Sequence, residues 1–165
     1  MARELFGDAI DYARVRIHNR RYLPFGLQPK NCAMTPNGAL YFHKSCCLLD
    51  LSTGSETARH WFMHEMVHVW QHQLGYPVRL RGAFRIGLSY RYALAMDKSL
   101  SDFNMEAQGD LLADYFVLRF LGSAAAMRQP RHGAGLTLFE AVLARFLADP
   151  GDIKNLPKGI LNRLR

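Results

Sequence analysis

The chain reads as an α+β domain, mainly helical, with a small sheet beside its most informative helix. Three observations predict this. Apolar residues recur at three- and four-residue steps over 53–75, 103–121 and 136–148, and glycine or proline stops each segment. A short apolar run, Ala39-Leu40-Tyr41-Phe42-His43, follows Asn37-Gly38, a turn-then-strand signal. Finally, 165 residues with no internal repeat and no linker suit one domain spanning 1–165, long enough to bury a core.

Taken in order, residues 3–13 look helical, and Arg14 to His18 alternate as a short strand would. Residues 19–37 hold Pro24, Pro29, Pro36 and Gly26 and read as loop. The strand at 39–43 comes next, then a helix opened by Thr53-Gly54-Ser55-Glu56, which has capping-box spacing. Ala58, Trp61, Phe62, Met66, Val69 and Trp70 mark its buried face, and Gly75 and Pro77 end it. Residues 76–100, rich in Arg, Tyr and Gly, carry no clear period. The second strong helix stops at Gly122, 128–135 is a loop, and Pro150-Gly151 closes the third helix.

Composition excludes several classes. Hydrophobic content of 49% with 21% charged residues is ordinary for a globular protein. No apolar run approaches the roughly 18 residues of a membrane span. The opening residues carry acids and no apolar core of a signal peptide, so a cytoplasmic origin is expected. Export by a route that reads no N-terminal signal is compatible with this. Cys32, Cys46 and Cys47 are odd in number and lack CxxC spacing, so free thiols are expected rather than disulfides or a thiolate metal site. The net charge of +7 is spread along the chain without a basic tail or stacking-aromatic signature, which argues against a nucleic-acid partner.

The chemistry concentrates in His64-Glu65-Met66-Val67-His68. Two histidines four residues apart on a helix are offset by about 40° and one turn of rise, so both imidazoles reach one metal ion from one face. The intervening Glu65 stands where it can take a proton from a metal-bound water. His60 and His72 lie on the same helix, so the bland alternative is a fragment of a histidine-rich solvated face.

A catalytic zinc takes three protein ligands and keeps one position open. His72 lies about 12 Å along the axis from His64, too far to share an ion. The elongated pattern HExxHxxGxxH needs glycine where Gln71 stands. Glu106, 38 residues after His68 near the start of the second helix, is the best third ligand. Asp110 is one turn further on, on the same face, where it can orient a ligand histidine. The bland reading makes both of them surface helix acids, and His43 or His132 would then be the ligand to try.

HExxH on one helix and Glu-xxx-Asp on the next resembles the gluzincin branch of zincin metallopeptidases. More narrowly, His64-Glu65-Met66-Val67-His68-Val69-Trp70-Gln71 resembles the HExxHVWQ helix of small zincin-like domains associated with VgrG and Rhs proteins of bacterial type VI secretion. The resemblance takes in Gly7-Asp8-Ala9-Ile10-Asp11-Tyr12-Ala13-Arg14-Val15, Gly38 to Phe42 and Asn104 to Asp110, roughly residues 7–120. It implies a zincin-like fold, His64, His68 and Glu106 as Zn2+ ligands, Glu65 as general base, and Asp110 behind a ligand histidine. It implies also that 40–43 is an edge strand along which a peptide lies. Tyr90, Tyr92 and His132 are all eligible as oxyanion donor, and spacing selects none of them. No VgrG spike or Rhs repeat is present, and the tail after Gly122 matches nothing in the resemblance.

The expected function is therefore zinc-dependent hydrolysis of peptide bonds, as a secreted antibacterial or anti-host effector. Its expected partners are a peptide or protein substrate, a VgrG or Rhs-type secretion component and an immunity protein. Two alternatives stand beside it: a peptidase of cell-wall cross-links, and a non-catalytic zinc-stabilised adaptor domain of a secretion machine. An open metal position next to Glu65 argues against the adaptor, because structural zinc sites are normally closed by four ligands.

Overall fold

A computed structural model describes residues 1–28, 33–43, 50–84, 87–133 and 135–158. The expectation of free thiols at Cys32, Cys46 and Cys47 lies outside these residues. Five helices are described: α1 (Ala2–Phe6), α2 (Glu56–Gln73), α3 (Val78–Phe84), α4 (Met105–Leu121) and α5 (Leu136–Ala148). Strands β1 (Arg16–His18) and β2 (Ala39–Tyr41) pair in parallel, with Arg16 opposite Ala39 and His18 opposite Tyr41. The mainly helical fold with a small sheet is as the sequence predicts.

The N-terminal helix is shorter than its periodicity suggests. Gly7 adopts φ 51° and returns its N–H to Arg3 O, which ends α1. The Asp11 carboxylate then accepts from Ala13 N and starts a separate 3-10 turn over Tyr12–Arg14. The cap of α2 also differs from the expectation. Thr53 belongs to a preceding 3-10 turn, Leu51–Thr53, and its hydroxyl donates to Asp50 O. Ser55 caps the helix instead, accepting from Ala58 N. Asn104 caps α4 through Glu106 N and Ala107 N, and Gly122 ends it in the left-handed region at φ 65°.

The core lies where α2 packs on α4, with α1 and α5 closing over the far end of α2. Trp70 is fully buried, 5.4 Å from the Phe146 ring and 6.1 Å from Phe6, and its indole N–H donates to Pro150 O at 2.8 Å. This packing fixes the rotation of α2 about its axis. His60, His64 and His68, four residues apart, thereby face α4.

The strand expected to offer an open edge is engaged on both sides. Tyr41 exchanges both main-chain bonds with Met34, at 2.9 and 3.2 Å, while Phe42 N donates to His18 O across the β1 side. No main-chain group of Tyr41 is left for an added strand.

Candidate metal centre

Helices α2 and α4 run antiparallel and meet along a polar ladder. His60 Nε2 lies 2.7 Å from Asp114 Oδ1, and His64 Nδ1 lies 2.8 Å from Asp110 Oδ1. His68 Nε2 lies 3.4 Å from Glu106 Oε2. Each step advances four residues on α2 and retreats four on α4, which is the spacing of one helical face.

At the Glu106 end the ladder becomes a three-donor group. His64 Nε2 is 3.1 Å from His68 Nε2 and 3.3 Å from Glu106 Oε2, so three donor atoms form a nearly equilateral triangle. Ligands held at about 2.0–2.2 Å in a tetrahedron are spaced by about 3.3–3.6 Å. The triangle therefore fits one face of a tetrahedral ion, and His64, His68 and Glu106 could hold a metal. Asp110 stands behind His64, as its position one turn along α4 suggested. Neither His43 nor His132 joins this group.

The protons respond to the crowding. Burial alone depresses the His64 imidazole, but hydrogen bonds to Asp110 and Glu106 and the charge of Glu65 outweigh it and hold the group raised, at about 10. Burial would raise Glu106, yet the hydrogen bond from His64 and the adjoining His68 ring hold its carboxyl well below the usual carboxylate range. A metal at this triangle takes the place of the shared protons.

Gly109 makes the geometry sterically available. A Cβ there would fall 2.5 Å from His64 Cε1 and 2.7 Å from Nδ1. The ring of His64 thus occupies the space a side chain on α4 would fill.

Glu65, 5% exposed, sits beside the triangle and accepts a hydrogen bond from the Thr35 hydroxyl at 2.6 Å. His64 of the triangle and Glu65 line a cleft of about 650 Å³, whose lining also includes His60, Tyr90, Asp110 and Arg128. A larger groove of about 760 Å³, around residues 74–81 and 153–158, holds none of the donors and is remote from this chemistry.

Of the three eligible oxyanion donors, the fold separates one from two. Tyr90 stacks on His64 with ring centroids 5.9 Å apart and lines the cleft. Tyr92 is buried, and its hydroxyl donates to Asp114 Oδ2 at 2.5 Å. Burial and the Asp114 charge push that phenol far above its ordinary value, so it remains a donor. His132 stacks on the Tyr92 ring at 5.2 Å. Asp114 also accepts from Arg128 N and Gln129 N, so four donors converge on one carboxylate.

Sequence reasoning missed Thr35, Gln71, Gln108 and Gly109. A glycine inside a helix costs about 1 kcal/mol against alanine, and that penalty was a readable signal for Gly109. Gln108 carries no signal until α4 is docked on α2, Thr35 none until its segment meets Glu65, and Gln71, three residues after His68 on the same helix, has only that spacing.

No family model matches the chain. Over an alignment of 124 residues that covers 71% of its length, the chain is 42% identical to the type VI secretion system spike protein VgrG2b of Pseudomonas aeruginosa. The chain spans only 12% of that protein's length. Among solved structures, the effector domain of P. aeruginosa VgrG2b superposes with a TM-score of 0.66 at 41% identity, covering 82% of this chain and 77% of that one. The chain belongs to the VgrG2b effector-domain family. Among the described residues, no helix is long and apolar enough to cross a membrane.

Proposed function

We propose that this VgrG2b-like effector domain, a single domain over 1–165, is a zinc-dependent peptidase acting on peptide or protein substrates. The observation that carries the reading is the donor triangle together with a buried carboxylate, Glu65, next to His64 on α2, with His64 and Glu65 both lining a cleft. Two imidazoles and one carboxylate form a zinc donor set, and three ligands leave a position for the reaction. Zinc held there by His64, His68 and Glu106 would supply Lewis acidity, activating water near neutral pH and polarising a carbonyl.

The chain's own residues do the rest. Glu65 takes the proton from the attacking water and passes it to the leaving amine. The Thr35 hydroxyl, bonded to Glu65 Oε2, fixes the carboxylate and leaves its other oxygen for that proton. Asp110 holds His64 by Nδ1 and so directs Nε2 at the metal. Tyr90, the eligible side chain that lines the cleft, is assigned as donor to the developing oxyanion. Kinship to a spike protein of type VI secretion supports delivery out of the producing cell, with an immunity protein as the partner that restrains the domain there.

The test pairs wild type with Glu65→Gln, which keeps the shape and removes the base. Wild type carrying one zinc should cleave unfolded protein, peptide libraries or muropeptides. Glu65→Gln should retain zinc while hydrolysis falls at least about 100-fold. Zinc-loaded wild type that cleaves none of these, with a cellular effect unchanged by Glu65→Gln, would refute the peptidase and leave an adaptor.

A further inference from the structure

The two donor histidines are held from behind by different chemistry. His64 Nδ1 meets a carboxylate, Asp110, whereas His68 Nδ1 meets the amide oxygen of Gln71 at 2.9 Å. Gln71 is fully buried, and so is Gln108 on α4, the next group in line. Gln71 Nε2 lies 2.9 Å from Gln108 Oε1 and 3.3 Å from Met105 O. Gln108 Nε2 in turn lies 2.9 Å from both Leu100 O and Asn155 O.

The direction of this chain is forced from its far end. Main-chain carbonyls only accept, so the group between Leu100 O and Asn155 O must be the Gln108 nitrogen with its two N–H bonds. Turning that amide over would set its oxygen against two carbonyl oxygens in a buried site, losing two hydrogen bonds and adding repulsion. Gln108 therefore presents its oxygen to Gln71, which must answer with nitrogen. Gln71 then presents oxygen to His68, and His68 Nδ1 must carry the proton. A neutral imidazole protonated at Nδ1 has its lone pair on Nε2. That is the atom of His68 that stands in the donor triangle.

We propose that Gln108 and Gln71 form an amide relay that sets the tautomer of His68, so that two main-chain carbonyls beyond the site decide which nitrogen is offered to a metal. Both are positioning residues. The relay is uncharged, so it orients His68 without adding a further carboxylate to a site that already holds Glu65, Glu106 and Asp110. The inference rests on the reading of His68 as a metal donor and is independent of peptidase activity.

The tautomer is read directly by correlating imidazole nitrogens with ring protons in 15N-labelled, metal-free protein. Wild-type His68 should show Nδ1–H and an unprotonated Nε2. Gln71→Met removes the acceptor and should give mixed tautomers with zinc affinity lower by about 10–100-fold. Gln108→Met leaves only the longer 3.3 Å bond to Met105 O to orient the Gln71 amide and should shift the tautomer in the same direction, with a smaller loss near 10-fold. Gln71→Glu keeps an acceptor at Nδ1 and should keep the wild-type tautomer, which separates orientation from mere packing. Wild-type His68 protonated at Nε2 would overturn the proposal. So would folded Gln71→Met and Gln108→Met proteins with unchanged tautomer and zinc affinity. Wild type that binds no zinc would instead overturn the metal reading, and the tautomer signal would still decide the relay.

Discussion

Replacing Gly109 with alanine sets two well-understood effects against each other. In a helix interior, Gly→Ala ordinarily stabilises by about 1 kcal/mol, because the glycine backbone has more freedom to lose. Here the added Cβ would lie 2.5 Å from His64 Cε1, 2.7 Å from Nδ1 and 3.0 Å from Nε2. Carbon atoms pack at about 3.5 Å or more, so the ring must retreat by about 1 Å. A retreat of that size breaks the 2.8 Å bond to Asp110 or opens the 3.3 Å edge to Glu106. Overpacking of this kind costs about 1–3 kcal/mol, which equals or exceeds the helix gain. The expected result is a metal-free protein of equal or lower stability whose zinc affinity is down by about 100-fold, the upper range for losing the support of a ligand. Zinc competition against a chromophoric chelator measures the affinity, and thermal melts with and without metal measure the stability. Gly109→Ala protein that binds zinc as wild type does would refute the steric account of the site.

Glu106→Ala should weaken zinc binding by orders of magnitude, as severely as His64→Ala, because it removes one of three donors, while Asp110→Ala should cost about 10–100-fold by releasing His64. Isothermal titration of the three variants checks the order, and equal small effects for the two acids would make them helix acids with no part in the site. Away from the site, a hydrogen bond from Lys158 and others from the Ser99 N–H and hydroxyl hold the Asp102 carboxyl down, at about 2 against an ordinary 3.8. A depressed carboxyl contributes stability that is full above its unfolded value and fades as pH falls through its folded one. Asp102→Asn should therefore lower the melting temperature above pH 4, with the gap closing towards pH 2 and shrinking in high salt. A gap that is constant across that range would refute the assignment.

The parts of the fold readable in advance are those whose reasons are local. Helix α5 begins and ends where its period and Pro150-Gly151 put it, and α4 needs only a two-residue trim to its Asn104 cap. α1 overruns on paper because Leu5, Phe6 and Ile10 keep a helical spacing across Gly7, which turns the chain aside. α3 is hidden because Val78 is its only buried residue, so no apolar stripe announces it. The donors behave the same way. His64 and His68 are related by helix geometry alone, and Glu106 with Asp110 by a second such spacing. The Thr35 hydroxyl on Glu65 and the link from Gln71 to Gln108 depend on chain segments meeting across 30 or more residues. Tyr90 and Tyr92 are two letters apart, and only the fold sends one to the cleft and the other to Asp114.

Asp114 has a consequence for whatever enters the cleft. It gathers the His60 ring from α2, the Tyr92 hydroxyl two residues after Tyr90, and the main-chain amides of Arg128 and Gln129. Arg131 adds a second tie by donating to Tyr92 O at 3.0 Å and to Gln129 Oε1 at 2.9 Å. Neighbouring segments lashed to one buried carboxylate move as a unit, so this side of the cleft is set before any visitor arrives. The loss of freedom on binding then falls almost wholly on the incoming chain, at about 1–2 kcal/mol for each backbone residue it immobilises. Segments already extended in their own protein lose less than floppy ones of the same sequence. Discrimination at such a mouth turns on the stiffness of the visitor as much as on its side chains.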